Sequence, residues 1–215
     1  MEKIKIDFDD LPEIIPLQVE TISRITISND DLGSFKDLPP IPVPPIAIPE
    51  LYPYPRPPAG NLPPRIRRLY SDAEKVATRL SKSPYIRLLE MRGTPPDYYR
   101  IEYNIRGVEA VHESSIIYRS KHEIELRLTG EYPNQQPKCT MLSPIFHPNI
   151  SPTRICIGDH WTAGEKLVDL IFRIGELIVY QSYNIRSPLD GVAARWADKN
   201  EHLLPTDKAD LIPPE

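Results

Sequence analysis

A carboxamide and a thiol stand seven residues apart in the run Phe146-His147-Pro148-Asn149-Ile150-Ser151-Pro152-Thr153-Arg154-Ile155-Cys156. A cysteine thiol is a nucleophile that can carry an acyl group as a thioester. An amide N–H can stabilise the oxyanion that forms when such a thioester is attacked. Pro148 and Pro152 remove backbone donors and disfavour helix in the residues before them, so the run is turn-rich. Two imidazoles, His147 and His160, flank the thiol and are general-base candidates. A Cys/His hydrolase, with Asp159 or Asp169 orienting the base, is therefore a competing reading, although no flanking signature of such enzymes is present. Cys156 lies between Ile155 and Ile157, a context that also fits a buried structural thiol. Gly158-Asp159-His160 directly after it argues for an exposed one. Asn149 can equally be a turn residue bonded to backbone.

The elements that must position these groups follow from composition and periodicity. The chain has 215 residues, a hydrophobic share of 40% and a net charge of -4, which suits one domain with an extension. There is no 18-residue apolar run and no secretory-type leader pattern, so neither a membrane partner nor export is expected. The negative charge argues against nucleic acid as a partner. Cys139 and Cys156 are the only cysteines. They make neither a disulfide framework nor a zinc pattern, and no metal or cofactor is expected. A reducing cytoplasm is the implied location. Cys139 falls in strand material and reads as core.

Residues 39–64 hold 12 of the 26 prolines, a density that favours extended polyproline II. Residues 37–64 read as a linker or wrapping arm, and their apolar content is high for a passive spacer. Before it, residues 1–36 form an acidic segment with candidate strands at Lys3–Phe8 and within Leu17–Ser28. Residues 1–64 carry 5 basic and 10 acidic side chains, whereas 65–215 are near neutral.

The domain proper is expected over 65–207, with 208–215 as a tail. Arg65–Leu80 has a helical apolar stripe and a basic side made by Arg65, Arg67, Arg68, Lys75 and Arg79. Strand patterns follow at Tyr99–Arg106, Ser114–Tyr118, Glu123–Leu128 and Lys138–Ile145, implying a four-stranded antiparallel meander with one buried face. A second helical stripe runs from Leu167 to Tyr180, and a short helix is expected at Gly191–Asn200. The class is α+β.

This order resembles the ubiquitin-conjugating enzyme family. Glu131-Tyr132-Pro133-Asn134-Gln135-Gln136-Pro137-Lys138 is similar to the family's Tyr-Pro-x-x-Pro-Pro-Lys stretch. His147-Pro148-Asn149 matches its His-Pro-Asn signature. Ile155-Cys156-Ile157 stands where its active cysteine lies, with Trp161 behind. Ser187-Pro188-Leu189 and Ala193-Ala194 resemble the segment after its long helix. Several features depart from the family. Asn149 and Cys156 are one residue closer than its usual eight, the Asn-Gly before the cysteine is absent, and Gln136 replaces a proline. The Gly-Gly-x-Phe hairpin is not recognisable, and the loop from Cys156 to Trp161 is short.

The resemblance implies the family fold, with an N-terminal helix, a four-stranded meander and C-terminal helices. It implies an acyltransferase that accepts ubiquitin or a ubiquitin-like modifier on Cys156 from an ATP-dependent activating enzyme and passes it to an amine, that of a lysine. Asn149 would then be the oxyanion donor, Ser187 would stand beside the incoming amine, with Asp190 as an alternative, and His147 and Pro148 would hold the turn. Helix 65–80 would meet the activating enzyme through Arg65, Arg67, Arg68 and Lys75. A non-catalytic module of the same fold is the remaining alternative, and the presence of Cys156 argues against it.

Overall fold

Pro63-Pro64 fixes where the first helix begins, because the N–H that proline lacks would be unpaired in the first turn anyway. The structure is a computed structural model that describes residues 24–28, 52–113, 115–157, 161–206 and 211–212. Helix α1 spans Pro64–Leu80 and buries Leu69, Tyr70, Ala73, Val76, Ala77 and Leu80, the face its stripe predicts.

One sheet contains β2 (Ile86–Gly93), β3 (Pro96–Tyr103), β6 (His122–Arg127) and β7 (Lys138–Met141), antiparallel in that order. Its apolar face, α1 and helix α2 (Leu167–Ile178) enclose the main core, which includes Ile86, Tyr99, Ile101, Ile124, Leu126, Leu170 and Ile174. The meander is present, but its first strand is not one that periodicity marks. Register slips between Leu88 and Glu90, and such a bulge resets the two-residue alternation that would have revealed the strand.

Ser115–Arg119, expected in the meander, is a strand of a second sheet instead. It is β5, paired with β4 (Gly107–His112) on one side and with β1 (Arg24–Ser28) on the other. Alternation shows that a segment has one buried face but does not name its neighbours. Ile116 and Tyr118 bury into a separate cluster with Val108, Tyr180, Ala197, Leu203 and Leu204. Helix α3 spans Gly191–Lys199 and is followed by a 3-10 turn at Glu201–Leu203. The expected strand at Lys3–Phe8, most of Leu17–Ser28 and most of the arm lie outside the described residues.

The described end of the arm touches the domain. The Tyr52 hydroxyl accepts from the Met91 amide at 3.3 Å. Tyr54, Pro55, Arg56 and Pro57 share a cavity of about 540 Å³ with Arg67, Tyr70, Ser71 and Glu74 of α1. At the other end, the 208–215 segment, set apart as a tail on sequence, contributes Leu211 to the core at 3% exposure. It fits because residue 175, in the middle of α2, is glycine. A Cβ there would stand 2.9 Å from Leu211 Cδ1 and 3.3 Å from Tyr103 Cε1.

One buried carboxylate ties the helices together. Asp72 is 1% exposed. Its Oδ2 accepts from Arg68 Nε at 2.6 Å and from the Tyr132 hydroxyl at 2.5 Å. Its Oδ1 faces the Leu167 amide at 3.4 Å, at the N-terminus of α2, where a negative charge is favoured by the helix dipole. Removing one partner of such a pair strands the other. Asp72→Ala is therefore expected to cost about 3 kcal/mol in denaturant unfolding, the low end of the range because Arg68 keeps some solvent contact. Arg87→Ala is expected to cost under about 1 kcal/mol, because that side chain is 40% exposed and its buried partner Glu102 keeps an ion pair with Lys121 at 2.6 Å.

Candidate active site

The seven-residue spacing is the length of a minimal hairpin. Strands β8 (Ile150–Ser151) and β9 (Arg154–Ile155) pair antiparallel, Ile150 with Ile155 and Ser151 with Arg154, around the turn Pro152-Thr153. Continuing that register places Asn149 opposite Cys156, and the Cys156 amide donates to the Asn149 carbonyl at 2.8 Å. An added residue would shift the pairing. Ile155 and Ile157 are 3% and 6% exposed, so alternation turns Cys156 between them outward, and it is half-buried. Cys139 is the buried thiol, and burial pushes its pKa up to about 12.

The turn before the hairpin is held from inside. The Asn149 amide donates to His147 Nδ1 at 3.0 Å, so the neutral ring carries its proton on Nε2. His147 is fully buried, and burial lowers its pKa to about 3. Its Nε2 faces the Leu177 carbonyl without an aligned hydrogen bond. A ring so buried, with Nδ1 already occupied, cannot take a proton from a thiol. This removes His147 from the hydrolase reading. His160 and Asp159, the other groups that reading needs, lie outside the described residues. Tyr180 packs against His147 at 4.4 Å between ring centroids, the rings tilted by 57°, and its hydroxyl donates to the Phe146 carbonyl at 2.7 Å. Tyr180 has φ 56°, a left-handed conformation that is rare for an aromatic residue and persists only where surroundings impose it.

The same turn grips the segment between α2 and α3. The Asn149 carboxamide is paired twice with the backbone of Asn184: Nδ2 donates to its carbonyl at 2.8 Å and Oδ1 accepts from its amide at 2.7 Å. The Pro148 carbonyl accepts from the Leu189 and Asp190 amides at 2.7 and 3.1 Å. Asp190 Oδ1 caps α3 through the Val192 and Ala193 amides at 2.8 and 3.0 Å. As a result Ser187 and Leu189 line the same cleft as Cys156, of about 1030 Å³, with Trp161, Gln136 and Lys138 on other walls. Trp161 is fixed by its indole N–H on the Pro133 carbonyl at 2.8 Å and by Tyr132 at 5.7 Å. Among the described residues no cluster of His, Cys, Asp and Glu could hold a metal ion, and no helix is long and apolar enough to cross a membrane.

Comparison with known proteins identifies the family. The sequence profile described as "Ubiquitin-conjugating enzyme" matches residues 74–207. The chain belongs to the ubiquitin-conjugating enzyme family. It is 24% identical over 134 residues to a probable ubiquitin-conjugating enzyme E2 L460 of Acanthamoeba polyphaga mimivirus, covering 60% of this chain and 80% of that protein. It is 29% identical over 144 residues to ubiquitin-conjugating enzyme E2 S-A of Xenopus laevis, covering 65% of this chain and 60% of the frog protein. Among solved structures it is similar to Saccharomyces cerevisiae Ubc12, with TM-score 0.50 and 21% identity over 67% of this chain and 77% of that one, a likeness of fold.

Within this family member the basic face of α1 is narrower than the sequence suggests. Arg65 donates to the Thr129 carbonyl at 3.0 Å. Arg68 bonds Asp72, the Ala163 carbonyl at 2.6 Å, the Glu165 carbonyl and Tyr132. Both arginines are engaged within the chain, because the loops before and after the cleft pass over the start of α1. Arg67 is exposed and Lys75 half-exposed. Asn184 and Tyr180 were not singled out on sequence. Asn184 acts through its backbone, which no side-chain pattern reveals, and Tyr180 counts as one more residue of the α2 stripe.

Two buried histidines make the fold sensitive to acid. Burial lowers the pKa of His122 to about 4 and of His147 to about 3, both below the ordinary 6.5. The unfolded chain therefore binds protons first as pH falls. Their contribution to stability is complete above pH 6.5 and is lost progressively below it. Between pH 6.5 and 5 each histidine is expected to remove ~2 kcal/mol. Urea midpoints across that interval check this, and His122→Gln should flatten the slope whatever it does to stability at pH 7.5.

Proposed function

We propose that this protein carries ubiquitin or a ubiquitin-like modifier as a thioester on Cys156 and transfers it to an amine, in most cases a lysine. The observation that carries the reading is the register of the β8–β9 hairpin. It sets Cys156, which is turned outward and lines an open cleft, across from Asn149 in the ladder. Opposite residues in such a ladder hold their Cβ atoms about 5 Å apart.

In the first step the Cys156 sulfur attacks the modifier's C-terminal carbonyl, which a separate activating enzyme has joined to a leaving group at the expense of ATP. The thiol proton and the leaving group depart, and the thioester remains. In the second step a neutral amine attacks that carbonyl, the oxygen becomes an oxyanion, and the C–S bond breaks to return the thiol. An amide nitrogen has two N–H donors, and Asn149 Nδ2 spends one on the Asn184 carbonyl. The second serves the oxyanion. Ser187 lies on the amine's approach. Asp190, whose Oδ1 is spent on the α3 cap, acts through that cap. His147 and Pro148 hold the turn. Arg67 and Lys75 form the contact with the activating enzyme, with Arg65 and Arg68 supporting the helix beneath it. The relatives' names support ubiquitin as one modifier.

Incubation with ATP, an activating enzyme and the modifier is expected to give an adduct that reductant removes and that Cys156→Ala abolishes. An adduct that survives Cys156→Ala overturns the reading. Asn149→Ala is expected to leave charging in place and to slow discharge to free lysine by roughly 10²–10³-fold, the usual cost of one oxyanion donor. Single-turnover chase experiments separate the two steps.

A further inference from the structure

We propose that the N-terminal strand β1 is a positioning element for the catalytic turn. This rests on the reading that Asn149 and Cys156 act together on the acyl group. Strand β1 lies outside the residues that match the family profile, yet a continuous set of contacts joins it to His147. Ile25 stands opposite Tyr118, and Ile27 opposite Ile116, on β5. Strand β5 pairs with β4, whose Val108 carbonyl accepts from the Phe146 amide at 2.7 Å. Phe146 immediately precedes His147, and its own carbonyl accepts the Tyr180 hydroxyl.

Packing follows the same route as the hydrogen bonds. Ile25, Ile27 and Phe146 all pack against one cluster that contains Val108, Ile116, Tyr118 and Tyr180. Tyr180 is in turn the ring on which His147 rests. Arg24 adds an ion pair to Glu109 at 2.9 Å, but that arginine is 56% exposed, so it contributes little. Removing β1 would open the β5 edge and uncover one side of the cluster that backs the turn. Tyr180 holds an unfavourable backbone conformation, and such conformations depend on the packing around them. None of the five residues of β1 is fully buried, which places it at the low-stability end of the fold, so its docking can vary while the main core stays intact.

The test uses the full chain with Ile25→Asp/Ile27→Asp. Amide hydrogen exchange of residues 146–156 is expected to rise about tenfold, the size of a coupling carried through packed contacts. Discharge of the Cys156 thioester to free lysine should slow by about the same factor, while charging is retained. A synthetic peptide covering residues 22–30, added in excess, should restore both, and Ile25→Val/Ile27→Val should behave as the parent. The proposal is overturned if exchange rises only in residues 107–119 and the 146–156 segment keeps the parent rate. It is also overturned if the double variant unfolds globally and the peptide does not reverse it. If the parent chain forms no thioester, the acyl-carrier reading fails, and the exchange comparison still decides the role of β1.

Discussion

The carboxamide of Asn149 closes a two-point bond with the backbone of Asn184, and much of the site depends on that closure. The chain around it is irregular, and buried irregular backbone must find partners for its polar groups. Pro148 brings no N–H but lends its carbonyl to two amides at the start of α3. Asn149 supplies both a donor and an acceptor. Together they fasten the segment between α2 and α3 to the turn that launches the β8–β9 hairpin. The wall holding Ser187 and the strand holding Cys156 are thereby set relative to each other. A side chain bound in this way is also already desolvated and oriented, which is the condition under which a donor contributes most to an oxyanion.

The parts of this protein that could be read from its sequence are those where one residue's type carries the information. The stripe of α1, the alternation of β3 and β6, and the order Tyr132-Pro133, His147-Pro148-Asn149, Cys156, Trp161 are of that kind, and the fold and the family followed from them. What escaped was relational. Strand β2 was hidden by a bulge at Leu88–Glu90. Ser115–Arg119 was legible as a strand but not as a member of another sheet. Arg65 and Arg68 looked like surface charge because the carbonyls of Thr129, Ala163 and Glu165 that they meet lie far along the chain. The short Asn149–Cys156 spacing looked like a defect until the two-residue turn at Pro152-Thr153 gave it a register.

The segment between β3 and β6 gives the fold a second core beside the first. The β4–β5 hairpin turns away from the main sheet and folds over Tyr180 and Trp196. Two hydrophobic clusters result, one beneath the sheet and one beside the active turn; α2 belongs to the first, and Tyr180, just past its C-terminal end, belongs to the second. The chain thus passes from one core to the other where α2 ends, at the left-handed Tyr180.

The glycine inside α2 has a further consequence. Glycine inside a helix costs about 1 kcal/mol relative to alanine, and α2 carries it at position 175 so that Leu211 can seat against the helix axis. A protease that clipped the chain after residue 206 would thus do more than shorten it. It would leave an unfilled apolar dent on the central helix of the main core, a dry notch on the surface where an apolar side chain from another molecule would be drawn to lodge.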